Sequence, residues 1–185
     1  SQPPVPIGDL MNVLASEAAL NALETPLLAL PVTSGDSRGP AFEAADAATH
    51  GKLSAIADEE SFTGKPGTKL LVHTSDHGAR RMLLLGVGEA GDIEAMTLRT
   101  LAASTVQAAN ARQLSGAALV IPSDSSDEES VSMAAQGAVL GAYRYDTYLT
   151  QDVDPMPCKE LTLLGVGAES AAVIERSVAI AEAIV

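Results

Sequence analysis

The sequence reads Arg80-Arg-Met-Leu-Leu-Leu-Gly-Val-Gly-Glu-Ala-Gly91 at the point that decides its fold class. The apolar residues of this segment are continuous and do not alternate with polar ones, which predicts a central strand that is buried on both faces. In a soluble protein, such a strand is typical of a largely parallel sheet with helices on both sides. We therefore expect an α/β fold.

The rest of the chain supplies the other strands and helices of such a fold. Short apolar runs bounded by proline, glycine or polar residues predict strands, and apolar residues three and four positions apart predict helices. The loop 75–79 is short enough for the strands on either side of it to pair directly. Asp92 and Thr97 are candidate caps of the helix that follows Gly91. The expected strands are 11–19, 26–32, 68–73, 80–91, 117–121 and 160–165, and the expected helices are 42–49, 53–61, 92–114, 123–143 and 170–185.

Length and cysteine content point to a single domain without covalent crosslinks. A chain of 185 residues can bury roughly 70% of the surface that it exposes when unfolded. Cys158 is the only cysteine, so an intrachain disulfide is ruled out. No apolar run approaches the ~20 residues of a membrane span, and residues 1–6 lack the charged and apolar regions of a signal peptide. We expect a cytoplasmic protein whose domain comprises residues 11–185, with residues 1–10 as a flexible arm or a non-native extension that precedes a natural start at Met11.

The charge of the chain argues against binding to nucleic acid. Its 24 acidic residues outnumber 11 lysines and arginines, which gives a net charge of −13. Such a surface repels phosphate, since affinity for nucleic acid comes largely from cations that displace counterions. The aromatic content of 3%, without tryptophan, also offers few surfaces on which bases could stack.

The glycines of residues 86–91 match the dinucleotide-binding pattern G-x-G-x-x-G. In that site, a helix begins at the third glycine and its N-terminus binds pyrophosphate. Glu89 lies inside this loop and Asp92 follows it, and both carboxylates would repel phosphate. Asn110 and Arg112 occupy the region where an acid would contact the ribose. We interpret the glycines instead as residues that let a strand turn sharply into a helix, a use that the similar phrase at residues 163–167 supports.

Other candidate sites are also better explained by structure. Residues 64–69 resemble a phosphate-binding loop, but they lack its order of residues and precede a strand, which predicts a turn. His73, Asp76 and His77 could ligate a metal only if they lay on a helix, and His50 is distant in sequence. Cys158 has no local catalytic signature. We therefore predict no catalytic, cofactor-binding or metal-binding residue in this chain.

All three tyrosines lie close together near the end of one predicted helix. Helical spacing predicts that Tyr143 packs inward and that Arg144 pairs with nearby acids, whereas it does not account for Tyr145 and Tyr148. The alternative is an aromatic patch that faces a partner. We favour packing.

Three phrases, in this order and spacing, resemble the N-terminal domain of the leucyl (cytosol) aminopeptidase family. The first is Gly64-Lys-Pro-Gly67 before a strand that ends in His73, and the second is Arg81-Met-Leu-Leu-Leu-Gly-Val-Gly88. The third is Gly137-Ala-Val-Leu-Gly-Ala-Tyr-Arg-Tyr-Asp-Thr-Tyr148. The resemblance extends over essentially residues 11–185.

This resemblance implies a three-layer, macro-like α/β domain with a mixed, mostly parallel sheet. In the family, a C-terminal catalytic domain follows and holds two divalent metal ions, Mn or Zn, that activate water against the first peptide bond. The matching ligand motifs would lie beyond Val185, so the resemblance assigns no metal ligand to this chain. It implies peptide substrates and a hexamer for the parent protein, with the N-terminal domains on the outside.

Two alternatives to a purely structural domain remain open at this point. The macro-like fold implies a module that binds ADP-ribose or a related nucleotide, although Glu89 and Asp92 argue against it. Some family members are DNA-binding regulators, and the net charge of −13 argues against that role. The last helix keeps its apolar pattern up to Val185, which predicts that the natural protein continues.

Overall fold

The computed structural model describes residues 11–74, 78–91, 93–146 and 158–185. Within these residues there are six strands and five α-helices, which follow one another in pairs up to β4 and alternate singly after it. The strands are β1 (Asn12–Ser16), β2 (Leu28–Ser34), β3 (Lys69–His73), β4 (Arg81–Glu89), β5 (Gly116–Val120) and β6 (Glu160–Leu164). The α-helices are α1 (Pro40–Ala48), α2 (Lys52–Glu59), α3 (Ala95–Asn110), α4 (Glu128–Asp146) and α5 (Ala171–Glu182), and short 3-10 helices lie at Leu20–Ala22, Ser123–Ser125 and Ala168–Ser170.

The strands form one mixed sheet in the order β1-β6-β5-β2-β4-β3. All neighbouring strands are parallel except β3 and β4, which are antiparallel and joined by a short loop. This confirms the predicted mixed, mostly parallel sheet and the direct pairing of the two strands around residues 75–79. β4 lies next to the edge strand β3, and β2 and β5 occupy the middle of the sheet.

Two apolar cores cover the two faces of the sheet and confirm a three-layer α/β fold. In β4, Leu83 and Leu85 point into the core that includes residues of α3, α4 and α5. Met82 and Leu84 point into the other core, which includes Phe42 of α1 and residues of α2. The continuous apolar run of β4 is therefore required because both of its faces are covered.

Helices α3 and α4 pack unusually closely, because glycines of α4 face the backbone of α3. A Cβ atom added to Gly141 would lie 2.7 Å from the carbonyl oxygen of Ala103. Gly137 faces the carbonyl of Arg99 in the same way, without space for a Cβ atom. The many alanines of both helices are thus part of a tightly packed layer.

Several predicted boundaries differ from the structure. β1 ends at Ser16 and a 3-10 helix follows at Leu20–Ala22, so the strand is shorter than 11–19. α3 begins at Ala95 after Glu94, without a side-chain cap. Thr97 is therefore inside its first turn and the proposed cap is wrong, while Asp92 lies outside the described residues. α3 ends at Asn110 rather than near residue 114, since the turn after it includes Gln113 in a left-handed conformation.

The prediction that Tyr143 packs inward is wrong, since this side chain is 48% exposed. Gly141 and Ala142 are the buried residues of this turn. Because each residue advances about 100° around a helix, Tyr143 lies on the outer side. The side chain of Tyr145, and Tyr148 itself, are outside the described residues, as are residues 1–10.

Candidate functional site

A cleft of about 470 Å³ lies at the carboxyl edge of the parallel strands. The ends of β2, β4, β5 and β6 reach this edge, and the loops that follow them form the walls. In open α/β sheets, this edge is where ligands usually bind. The cleft is therefore the main candidate for a small-molecule site.

The lining of the cleft is predominantly apolar. Among the described residues that line it, Asp124 is the only titratable one, and no aromatic side chain or cation is present. A phosphate group would find no positive side chain in this lining. The apolar lining residues are Ala18, Leu20, Pro31, Pro40, Ala41, Ala44, Val87, Ala90, Ile93, Val120, Ile121, Pro122 and Leu164.

The polar groups on the β2 side of the cleft bond to one another. The Thr33 hydroxyl donates to the carbonyl of Ser37 at 2.8 Å, and the Ser37 hydroxyl donates to Glu43 at 2.7 Å. Arg38 follows the lining residue Ser37 in the sequence, and its guanidinium forms an ion pair with Asp58 at 2.6 Å. Its guanidinium also lies 5.3 Å from the centre of the Phe42 ring. The Arg38 guanidinium is therefore already used within the fold.

The glycines of the dinucleotide-like motif lie against the turn at residues 64–68. The Gly86 amide donates to the carbonyl of Thr68 at 2.8 Å, and the Gly88 amide donates to the carbonyl of Gly64 at 2.9 Å. A Cβ atom at Gly88 would lie 2.9 Å from Cγ of Pro66, and one at Gly86 would overlap the backbone of Lys65. These amides are therefore used within the fold and do not form a pyrophosphate cradle.

The structural use of Gly86 and Gly88 differs from the sharp strand-to-helix turn that we expected. Both residues lie within β4, and α3 does not begin until Ala95. Their role is to let the preceding turn approach the strand closely. The turn predicted at residues 64–69 is confirmed, and it supplies the reason for both glycines.

Asp127 caps helix α4 beside the cleft. Its carboxylate accepts hydrogen bonds from the Ser130 amide at 3.1 Å and the Ser130 hydroxyl at 2.7 Å. These bonds, above all the one from the hydroxyl, lower the pKa of Asp127 from its usual value. The acidic start predicted for this helix is confirmed, with Glu128 and Glu129 in its first turn.

Histidine residues that are distant in sequence meet in a small pocket of about 60 Å³. His50 follows α1 and His73 ends β3, and both line this pocket together with Thr49 and Thr74. No local sequence pattern indicates that these two side chains line one pocket, because this depends on how α1 packs on the sheet. Within the described part of the chain, no three side chains of His, Cys, Asp or Glu could hold a metal ion.

Cys158 is buried and its thiol is poorly reactive. Burial raises the pKa of this thiol to about 11, so little thiolate forms near neutral pH. Its amide donates to Oδ1 of Asn110 at 2.9 Å, which ties the start of β6 to the end of α3. Cys158 thus links two elements of the fold through its backbone.

The N-terminal domain model of the cytosol aminopeptidase family matches residues 29–152. A relative described as a probable cytosol aminopeptidase, from Geobacter sp. (strain M21), is 37% identical over 131 residues. That match covers 70% of this chain and 27% of the relative. The chain spans only 26 to 35% of the length of three such relatives.

Solved structures show the same fold. A leucine aminopeptidase variant from tomato superimposes with a TM-score of 0.75 at 23% identity, and the match covers 98% of this chain and 37% of that one. A Trypanosoma brucei macrodomain, solved in complex with ADP, gives a TM-score of 0.61 at 12% identity. That match covers 90% of this chain and 67% of the macrodomain. The expected macro-like fold is therefore confirmed.

Proposed function

The chain belongs to the cytosol aminopeptidase family as an N-terminal domain, and from this premise we propose that it is the non-catalytic domain of a leucyl aminopeptidase. The complete protein would release N-terminal amino acids from peptides. The observation that carries this proposal is the family match over residues 29–152, in a chain that spans only 26 to 35% of its relatives. The relatives imply a further, C-terminal catalytic domain.

The proposal assigns the metal chemistry to that further domain. Two divalent metal ions, Mn or Zn, would activate water for attack on the first peptide bond. The described residues of this chain do not fit such a centre, since they provide no group of three potential ligands. Within the proposal, this domain takes no part in the chemical step, and the complete protein acts in the cytoplasm. No helix in the described part of the chain is long and apolar enough to cross a membrane.

Aminopeptidase assays on two proteins test the division of roles. We expect the full-length protein to hydrolyse leucine p-nitroanilide in the presence of Mn²⁺ or Zn²⁺ and to lose this activity with a chelator. Residues 1–185 should show no turnover under the same conditions. Turnover by the purified chain alone, retained after a second chromatography step, would contradict the proposal.

A second candidate function is binding of ADP-ribose or a related nucleotide, and the position of the cleft at the carboxyl edge favours it. The composition of the cleft argues against nucleotide binding. Its described lining has no cation to hold phosphates and no aromatic ring on which a base could stack. We expect calorimetry with ADP-ribose, NAD and ATP to show no micromolar binding to residues 1–185. Micromolar binding of any of them would establish the second function in place of a purely structural domain.

A further inference from the structure

A second groove, of about 470 Å³, lies between the edge strand β1 and helix α5. Met11 and Val13 form part of its floor and are buried, as is Ile174 of α5. Val178 and Ala179 of α5 also line it. The groove therefore presents apolar surface beside an open edge of the sheet.

One side of strand β1 has no pairing strand among the described residues. β1 pairs with β6 on one side, and among the described residues no strand pairs with its other side. The Asn12 amide bonds to Lys159, and the Ser16 carbonyl accepts from Gly165. Because alternate residues of a parallel strand bond to the same neighbour, the amides and carbonyls of Val13 and Ala15 point outward. Such an edge can accept another extended segment.

One carboxylate oxygen at the end of this groove has no hydrogen-bond partner among the described residues. Oε1 of Glu182 is shielded from solvent and accepts no hydrogen bond from any described residue. Burial raises the pKa of this carboxyl above its usual value. A shielded polar atom without a hydrogen bond is costly, and a cation close to Glu182 would remove that cost.

The charges of the groove disfavour the binding of a second copy of this chain. The titratable residues among its described lining are Glu175 and Glu182, both acidic. Each copy of the chain carries a net charge of −13, so self-association here would bring acid against acid. A complementary occupant has apolar side chains and a lysine or arginine.

We propose that the β1–α5 groove binds an apolar segment of the full-length protein's C-terminal part, with a lysine or arginine of that segment paired to Glu182. The inference rests on the proposed function, which supplies this C-terminal part. α5 ends at Glu182, three residues before the last residue of the chain. Ile180, Ile184 and Val185 are exposed apolar residues near that end of the helix.

Hydrogen exchange compares the groove in the two proteins. In the full-length protein, we expect amides of β1 and α5 to exchange at least about tenfold more slowly than in residues 1–185, because the docked segment covers them. Equal exchange in both proteins would overturn the inference. Protection that is already present in residues 1–185 and is lost when residues 1–10 are removed, or that increases with protein concentration, would also overturn it in favour of those occupants.

Two variants test the role of the charge. Glu182→Gln keeps the shape of the side chain and should reduce the added protection in the full-length protein several-fold, with little effect on residues 1–185. Ala179→Arg places a cation one turn from Glu182 on an exposed position, so it should occupy the site and also remove the added protection. Glu59→Gln, an exposed acid of α2, is the matched control and should change nothing. Full protection in both groove variants would contradict the pairing.

Aminopeptidase assays and hydrogen exchange on the same full-length protein distinguish the proposed function from the proposed docking. A full-length protein that is an active aminopeptidase but whose groove exchanges freely would contradict the docking inference and leave the proposed function intact. A full-length protein without aminopeptidase activity, but with a protected groove, would contradict the proposed function and support docking of a C-terminal segment.

Discussion

The absence of a side chain at Gly86 lets the turn at residues 64–68 approach strand β4 closely. The turn at residues 64–68 lies directly over β4, and its carbonyls accept the amides of Gly86 and Gly88. Gly64 of this turn also lies close to the neighbouring strand β2, since a Cβ atom there would lie 2.5 Å from the carbonyl oxygen of Thr33. Its φ of 73° also favours glycine. The dinucleotide-like spacing is therefore a consequence of packing.

Substitution of Gly86 by alanine should destabilise the domain. The added Cβ atom meets the backbone of Lys65 and Gly64, which cannot move without breaking the bonds of the turn. We expect a loss of about 2–3 kcal/mol in the free energy of unfolding, measured by urea denaturation. Gly116→Ala in β5 is the matched control, because its Cβ atom would lie 3.6 Å from the carbonyl oxygen of Glu160. Equal free energies of unfolding for Gly86→Ala and Gly116→Ala would show that the backbone of Gly64 and Lys65 can move to accept the added Cβ atom.

At the scale of the element, helix α4 depends on its first turn. Asp127 satisfies the Ser130 amide, and Glu128 and Glu129 face the positive end of the helix dipole. The Glu128 carboxylate also lies 3.1 Å from Arg176 of α5, although both side chains are well exposed. Such an exposed ion pair contributes little to stability. The cap is therefore the stronger of the two contributions.

Removal of the cap should have an effect that depends on pH. We expect Asp127→Ala to lower the free energy of unfolding by about 1 kcal/mol at pH 7. Because hydrogen bonds lower the pKa of Asp127 in the folded state, its contribution is complete above the ordinary value of 3.8 and is lost as the pH falls through the folded value. In urea denaturation, the free energies of unfolding of the wild-type protein and of the Asp127→Ala variant should approach each other as the pH is lowered from 7 to 3. A difference that stays constant over this range would contradict an ionised cap.

At the scale of the whole molecule, charge limits association. The net charge of −13 makes copies of the chain repel one another at low ionic strength. Exposed large apolar residues cluster at the end of α5, where Ile180, Ile184 and Val185 lie. This patch is the part of the described surface most able to support contact between copies.

Light scattering should therefore find different assemblies for the two proteins. We expect residues 1–185 to be a monomer, or a weak dimer that forms through the exposed end of α5 and leaves the β1–α5 groove uncovered, and the full-length protein to be a hexamer. The physical reason is that contacts strong enough to overcome the repulsion would have to come from the catalytic domains. A stable hexamer of residues 1–185 alone would show that this domain drives assembly.

The sequence by itself determined the layers of the fold. The unbroken apolar run of β4 required cover on both faces, and the buried positions of α3 and α4 follow the helical spacing. Both signals are local, because the period of a helix or strand is written in neighbouring residues. The resemblance of three short phrases was enough to indicate the family, although each phrase alone was weak.

The tertiary structure decided what lies together across the chain. The carboxyl-edge cleft is formed by four strand ends, and the position of His50 and His73 around one pocket depends on the packing of α1. The exposure of Tyr143 and the unpartnered Oε1 of Glu182 likewise depend on which neighbour each helix has. No local pattern encodes these contacts, because strand order and helix packing are set by interactions between residues that are distant in sequence.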